Sequence, residues 1–154
     1  MSRILATYNE RSWAIDLIGH LKLLADQSNR SIKDASGEQT IKADGGSLFP
    51  DVLLFGDRET ARILQGWELK MPNTSIDDYE FRHNAEVKAR ALGLDSFLLW
   101  NVSHARLYVY NRDNNSFELS RDWSDLSDIT TRTNVIPNRA RWESVATQIF
   151  GYLN

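Results

Sequence analysis

Apolar residues recur at spacings of three and four from about Asn9 to Ala25, where Trp13, Ala14, Leu17, Ile18, Leu21 and Leu24 share one face. That periodicity predicts a helix packed on a core. The next stretch, Gln27 to Ser47, is polar and rich in small residues, with a short strand expected around Thr40 to Ala43 and a turn at Gly45-Gly46. Two apolar runs follow. Asp51 to Phe55, after Pro50 and before Gly56-Asp57, reads as a buried strand, and Ala61 to Met71 reads as a second strand ended by Pro72. The short connection between them favours an antiparallel hairpin.

A polar segment from Ser75 or Asp77 to Leu92 carries Tyr79, Phe81, Ala85, Val87 and Ala89 and predicts a helix that stops at Gly93. Ser96 to Val102 and Ala105 to Tyr110 predict two more strands, and a weaker one is expected near Phe117 to Leu119. Arg139 to Leu153 closes the pattern as an amphipathic helix through Trp142, Val145, Ala146, Ile149, Phe150 and Leu153. The expected class is α/β, with a mixed central sheet flanked by helices.

The 154 residues, 42% hydrophobic and 25% charged, suit one domain spanning residues 1–154. With no cysteine, the chain has no disulfide framework, zinc-thiolate site or cysteine nucleophile, which fits a reducing, cytoplasmic setting. The opening residues lack the apolar region of a secretory signal, and no apolar run reaches the length of a membrane span. A net charge of -3 excludes a polycation held on nucleic acid by bulk charge. Gly45-Gly46 is not followed by the lysine of a phosphate loop, and neither GxGxxG nor GxSxG occurs.

The candidate chemistry lies on the second predicted strand. Side chains there alternate, so Glu68 and Lys70 share one face while Trp67, Leu69 and Met71 take the other. Burying two charges in a sheet costs several kcal/mol unless they are paired or meet a ligand. Asp51, at the start of the neighbouring strand, adds a carboxylate at the same end. Two carboxylates suit a hard cation such as Mg²⁺, with Mn²⁺ able to substitute, and Lys70 would activate a water or stabilise charge on a phosphoryl oxygen. Glu10 extends the apolar stripe of the first helix and serves either as a further ligand or as a helix N-terminal acid. The plainer alternatives are a solvated Glu68–Lys70 pair on an edge strand, worth about 0–1 kcal/mol, and a turn role for Asp51. The apolar neighbours of Glu68 argue for a central strand.

Pro50-Asp51, sixteen intervening residues and Glu68-Leu69-Lys70 resemble the PD-(D/E)xK signature of the restriction-endonuclease-like nuclease superfamily, whose members cleave DNA with Mg²⁺. The resemblance implies a restriction-endonuclease-like αβββαβ core over about residues 9–110. Its elements would be the Glu10 helix, strands around residues 40, 52 and 66, the helix near 77–92 and the strand Ser96 to Val102. It implies Asp51, Glu68 and Glu10 as metal ligands, with Lys70 beside them. Some branches carry glutamine and tyrosine four apart on the following helix, where this chain has Asn84 and Lys88. The layout is also similar to the N-terminal nuclease module of restriction-modification polypeptides. That likeness implies DNA as partner, with grip supplied by a homodimer or by other domains. Two other readings keep the fold: a catalytically inactive nucleic-acid-binding or interaction module, and a junction resolvase.

The remaining polar residues read more plainly. His20 and His104 read as structural, and His83 as a surface or DNA-facing residue. Arg132 to Arg141, with three arginines and no acid, reads first as a solvated loop and second as an arm along a nucleic-acid backbone. Lys88 and Arg90, interspersed with Glu86, read as a mixed solvent face.

Overall fold

The computed structural model describes residues 7–37, 49–57, 59–60 and 62–154. The helix α1 (Glu10–Gln27) starts where the sequence supplies its own cap. The Ser12 amide donates to Asn9 Oδ1 at 3.0 Å, and the Asn9 amide donates back to Ser12 Oγ at 3.3 Å. This reciprocal pair satisfies two of the amides a helix start leaves open. Strands β1 (Asp34–Gly37), β2 (Val52–Asp57) and β3 (Arg62–Leu69) follow. The expected strand at 40–43 and the Gly45-Gly46 turn lie outside the described residues, and β1 precedes them.

Helix α2 (Tyr79–Ala91) is capped by the Asp78 carboxylate, which accepts from the Phe81 amide at 3.0 Å. It ends ahead of Gly93, whose φ of +68° a side chain would strain. Strands β4 (Ser96–Trp100), β5 (Ala105–Asn111) and β6 (Ser116–Trp123) come next, then two 3₁₀ turns and helix α3 (Arg139–Leu153). Strand β6 runs past the expected Leu119 because it is an edge strand: only Phe117 and Trp123 are buried, so alternation gave little signal beyond the first of them.

The six strands lie in chain order, β1 to β6. Every neighbouring pair is antiparallel except β3 and β4. That parallel pair follows from α2, since a helical crossover returns the chain to the end from which β3 started. The β2–β3 pair is antiparallel as expected, with irregular register around Phe55. The protein is thus α/β, with an open mixed sheet and, among the described residues, three α-helices. None of the described helices is long and apolar enough to cross a membrane.

Alternation along the strands builds two cores. On one face, Trp67, Leu69, Leu98, Trp100 and Leu107 pack with α1 and α3; on the other, Phe97, Leu99 and Tyr108 pack with α2. The first core centres on indoles. The Trp13 ring meets that of Trp100 edge-on at 4.9 Å and that of Trp142 at 6.2 Å, while Trp67 meets Trp100 at 6.0 Å. All four are fully buried. Edge-to-face contacts of this kind add about 0.5–1.5 kcal/mol each to the area they bury. Their arrangement joins α1, α3, β3 and β4 through one aromatic cluster.

The last residue closes this layer. Asn154 Oδ1 accepts from the Ile32 amide at 2.8 Å, and its Nδ2 donates to Ser28 Oγ at 2.7 Å, pinning the end of α3 to the loop before β1. His20 bonds Thr147 Oγ1 at 3.0 Å across α1 and α3, in keeping with a structural role.

Trp100→Ala should lower the unfolding free energy by about 3–5 kcal/mol, a large share of the roughly 5–15 kcal/mol typical of a domain. Urea denaturation followed by far-ultraviolet circular dichroism measures it. A midpoint equal to wild type would show that the aromatic cluster does not join the layers.

Candidate active site

Strand β3 is buried from Gln65 to Leu69, so it is a central strand with helices over both faces. Trp67 and Leu69 enter the indole core. Glu68 therefore points to the α2 face, where it is 8% exposed. A carboxylate so enclosed requires a partner. Its partner is Lys88 of α2, whose Nζ donates to Glu68 Oε1 at 2.8 Å.

Lys88 is thus not part of a mixed solvent face. Arg90 keeps to the surface and pairs with Glu86 at 3.2 Å, but Lys88 turns inward. The signal was in the sequence: Phe81, Ala85 and Ala89 mark the buried stripe of α2, and Lys88 stands three residues after Ala85 on that side. Ala85 and Ala89 share a buried cluster with Phe97 and Leu99, on the side from which Lys88 reaches Glu68.

Asp51 stands one residue before β2 and is held across the hairpin. Its Oδ2 accepts from the Leu69 amide at 2.8 Å, so the end of β3 fixes its carboxylate. Gly66 makes this approach feasible. A Cβ on Gly66 would lie 2.6 Å from Pro50 Cγ and 3.3 Å from a Leu94 methyl, so only glycine lets the Pro50 ring close over β3. The dipeptide Pro50-Asp51 and the glycine two residues before Glu68 are complementary parts of one contact.

Burial first, and then the negative charge of Asp51, raise the Glu68 carboxyl from 4.5 to about 7, against the opposing charges of Lys88 and Lys70. Two carboxylates that repel each other, with two ammoniums near one of them, form the electrostatic centre of the site. Lys70, half-buried just past β3, donates its backbone amide to the Trp100 carbonyl at 3.1 Å and lies close enough to act on Glu68 through its charge.

Glu10 takes a different place. It is half-buried in the first turn of α1 and lines a cleft of about 430 Å³ with Asp51, Ser36 and Gly37; Arg11 and Lys22 line it too. Because α1 packs on the opposite face of the sheet from α2, Glu10 and Glu68 approach Asp51 from different sides. Among the described residues no group of three or more His, Cys, Asp or Glu side chains is placed to hold a metal ion. Of the expected ligand set of Glu10, Asp51 and Glu68, Glu10 and Asp51 line one cleft, and Glu68 is coupled to Asp51 through its charge.

The other polar candidates resolve simply. The His83 ring stacks on exposed Tyr79 at 5.4 Å and lies on the surface. Of the three arginines between residues 132 and 141, Arg141 grips Asp128 with bonds of 2.7 and 2.9 Å, and Arg139 pairs with Glu143 at 3.2 Å. Both find acids outside that stretch.

Two outcomes test this geometry. Gly66→Ala should cost about 1–3 kcal/mol by overpacking against Pro50, with urea denaturation as the measurement; an unaltered midpoint would mean that the Pro50 contact is loose. For the pH dependence, the metal-free folded protein binds more protons at Glu68 than the unfolded chain between pH 4.5 and about 7. The contribution of Glu68 is therefore fully present below pH 4.5 and is lost as pH rises to about 7, amounting to a few kcal/mol at most. The difference between wild-type and Glu68→Gln stability, measured across pH 4–8, should fall over that window and be flat outside it. Comparison of the chain with family models, curated proteins and solved structures gave no match, so the geometry alone carries the reading of this site.

Proposed function

We propose that this chain is a restriction-endonuclease-like nuclease that hydrolyses DNA phosphodiester bonds with Mg²⁺ or Mn²⁺. One observation carries the reading: Asp51, held by the Leu69 amide, and the buried Glu68 stand at the same end of a buried hairpin, with Lys70 next along the strand. Evolving such a like-charge pair in a sheet has a chemical rationale if a divalent cation relieves the repulsion. The donor set fits that group, because carboxylate oxygens are what a hard cation takes. The order α1-β1-β2-β3-α2-β4 adds support, since it is the order the PD-(D/E)xK resemblance implies.

On this reading Asp51 and Glu68 hold the cation, and Glu10 borders the cleft through which Asp51 is reached. When bound, the cation supplies Lewis acidity and a more acidic water. The ammonium of Lys70 faces the scissile phosphate, where it orients the attacking water or offsets charge on the phosphoryl oxygens. The buried surroundings of Glu68 keep its carboxylate in one orientation. Grip on DNA comes from a second copy or from a neighbouring domain, because the chain carries a net charge of -3 and Arg90, Arg106, Arg139 and Arg141 are paired with acids.

A second reading, a catalytically inactive binding module with the same fold, is favoured by one contact: Lys88 gives Glu68 a counter-charge without any ion. Supercoiled plasmid DNA incubated with Mg²⁺ or Mn²⁺ separates the two. The wild-type protein should nick or linearise it, and Asp51→Asn and Lys70→Ala should each reduce the rate about 100-fold or more with unchanged circular dichroism. Cleavage by both variants at the wild-type rate would sink the nuclease reading. DNA retention without cleavage or Mn²⁺ binding would support the inactive module.

A further inference from the structure

We infer that Lys88 is a positioning residue: it orients Glu68 so that this carboxylate, together with Asp51, receives a divalent cation. The inference rests on the nuclease reading above and extends it to a residue on another element.

The geometry is specific. Lys88 engages one carboxylate oxygen, Oε1, at 2.8 Å, which leaves Oε2 for a cation. Both side chains are largely enclosed, at 19% exposure for Lys88 and 10% for Glu68. An exposed ion pair of this kind is worth little, because solvent screens it and both chains move. An enclosed pair is different: removing one member strands the other charge. Here the stranded charge would be the carboxylate, in a strand whose backbone is already fixed on both sides by β2 and β4. Glu68 would then rotate or become neutral, and neither state presents an oriented carboxylate. Carboxylates that ligate metals are commonly held by such outer partners, and losing one typically weakens the metal about 10–100-fold.

Lys70 does not duplicate this role. It shares the Glu68 face of the strand but lies beyond its end, and its bond to the neighbouring strand is made by its backbone amide. Lys88 instead reaches Glu68 from a different layer, beside the buried Ala85 and Ala89. The pair therefore couples the placement of α2 to the orientation of one carboxylate. It gives α2 a function beyond covering the sheet.

Isothermal titration calorimetry with MnCl₂ and the 154-residue chain, without DNA, tests the inference. Wild type should bind Mn²⁺, and Asp51→Asn should abolish that binding. Lys88→Met should weaken it about 10–100-fold, while Lys88→Arg, which keeps the charge and a donor, should stay within a few-fold of wild type. Thermal unfolding of each variant shows that the chain is folded. Should Lys88→Met fail to fold, Lys88→Gln is judged by the same 10-fold threshold. Unchanged or tighter Mn²⁺ binding in the Lys88 variant, with binding still lost in Asp51→Asn, overturns the role of Lys88 and leaves the nuclease reading standing. Absence of Mn²⁺ binding in wild type overturns both.

Discussion

The burial of β3 between two helical layers governs much of what surrounds it. A strand covered on one face can send its charged side chains to water, but β3 cannot. From Gln65 to Leu69 each residue must be accommodated by packing or by a partner. On the α1 and α3 side, Trp67 and Leu69 meet this condition by joining the indole cluster. On the α2 side the strand presents a carboxylate, and the structure compensates it with an ammonium from the helix above. The close approach of α2, with alanines at its buried positions, follows from the same requirement.

The hairpin adds a second constraint at the same end of the strand. Asp51 is anchored by an amide of β3, and its anchoring depends on the Pro50 ring passing over Gly66. Placement of the two carboxylates is thus not a property of either strand alone. It depends on a proline, a glycine and a backbone amide that have no charge themselves. Rigid elements set the separation of the acidic groups, which is what a site for a small cation needs if its ligands are not to collapse apart under their own repulsion. Glu10, carried by a helix on the other face, is free of this constraint and meets Asp51 only across the cleft.

Much of this arrangement was legible because it follows short-range rules. Gly93 as the stop of α2, the apolar periods of α1 and α3 and the alternation of Glu68 with Trp67 and Leu69 are all local patterns, and each reappears in the structure. Two features were not legible in that way. The inward turn of Lys88 was obscured because Glu86, Lys88 and Arg90 look like a solvated charge mixture; only the helical period of Phe81, Ala85 and Ala89 distinguishes Lys88 from its neighbours. The separation of Glu10 from Glu68 depends on which sheet face each helix covers, and that is a tertiary choice. Strand β6 was foreshortened for a third reason: an edge strand with exposed residues between two buried aromatics carries almost no alternation to read.

Charge gives these elements a common logic. The chain as a whole is mildly acidic, at -3, yet the centre of the site is balanced, with Asp51 and Glu68 matched by Lys70 and Lys88. A balanced group of four is more tolerant of a low-dielectric setting than two carboxylates alone. On the proposed reading the balance would also bear on what enters. A cation would leave a net positive centre, which favours a phosphate diester as the next arrival; a phosphate alone would meet the two carboxylates unopposed by anything but the lysines. Arg90, Arg106, Arg139 and Arg141 are engaged with acids, so on the proposed reading the potential at this centre would bear on the order in which a cation and a polyanion bind.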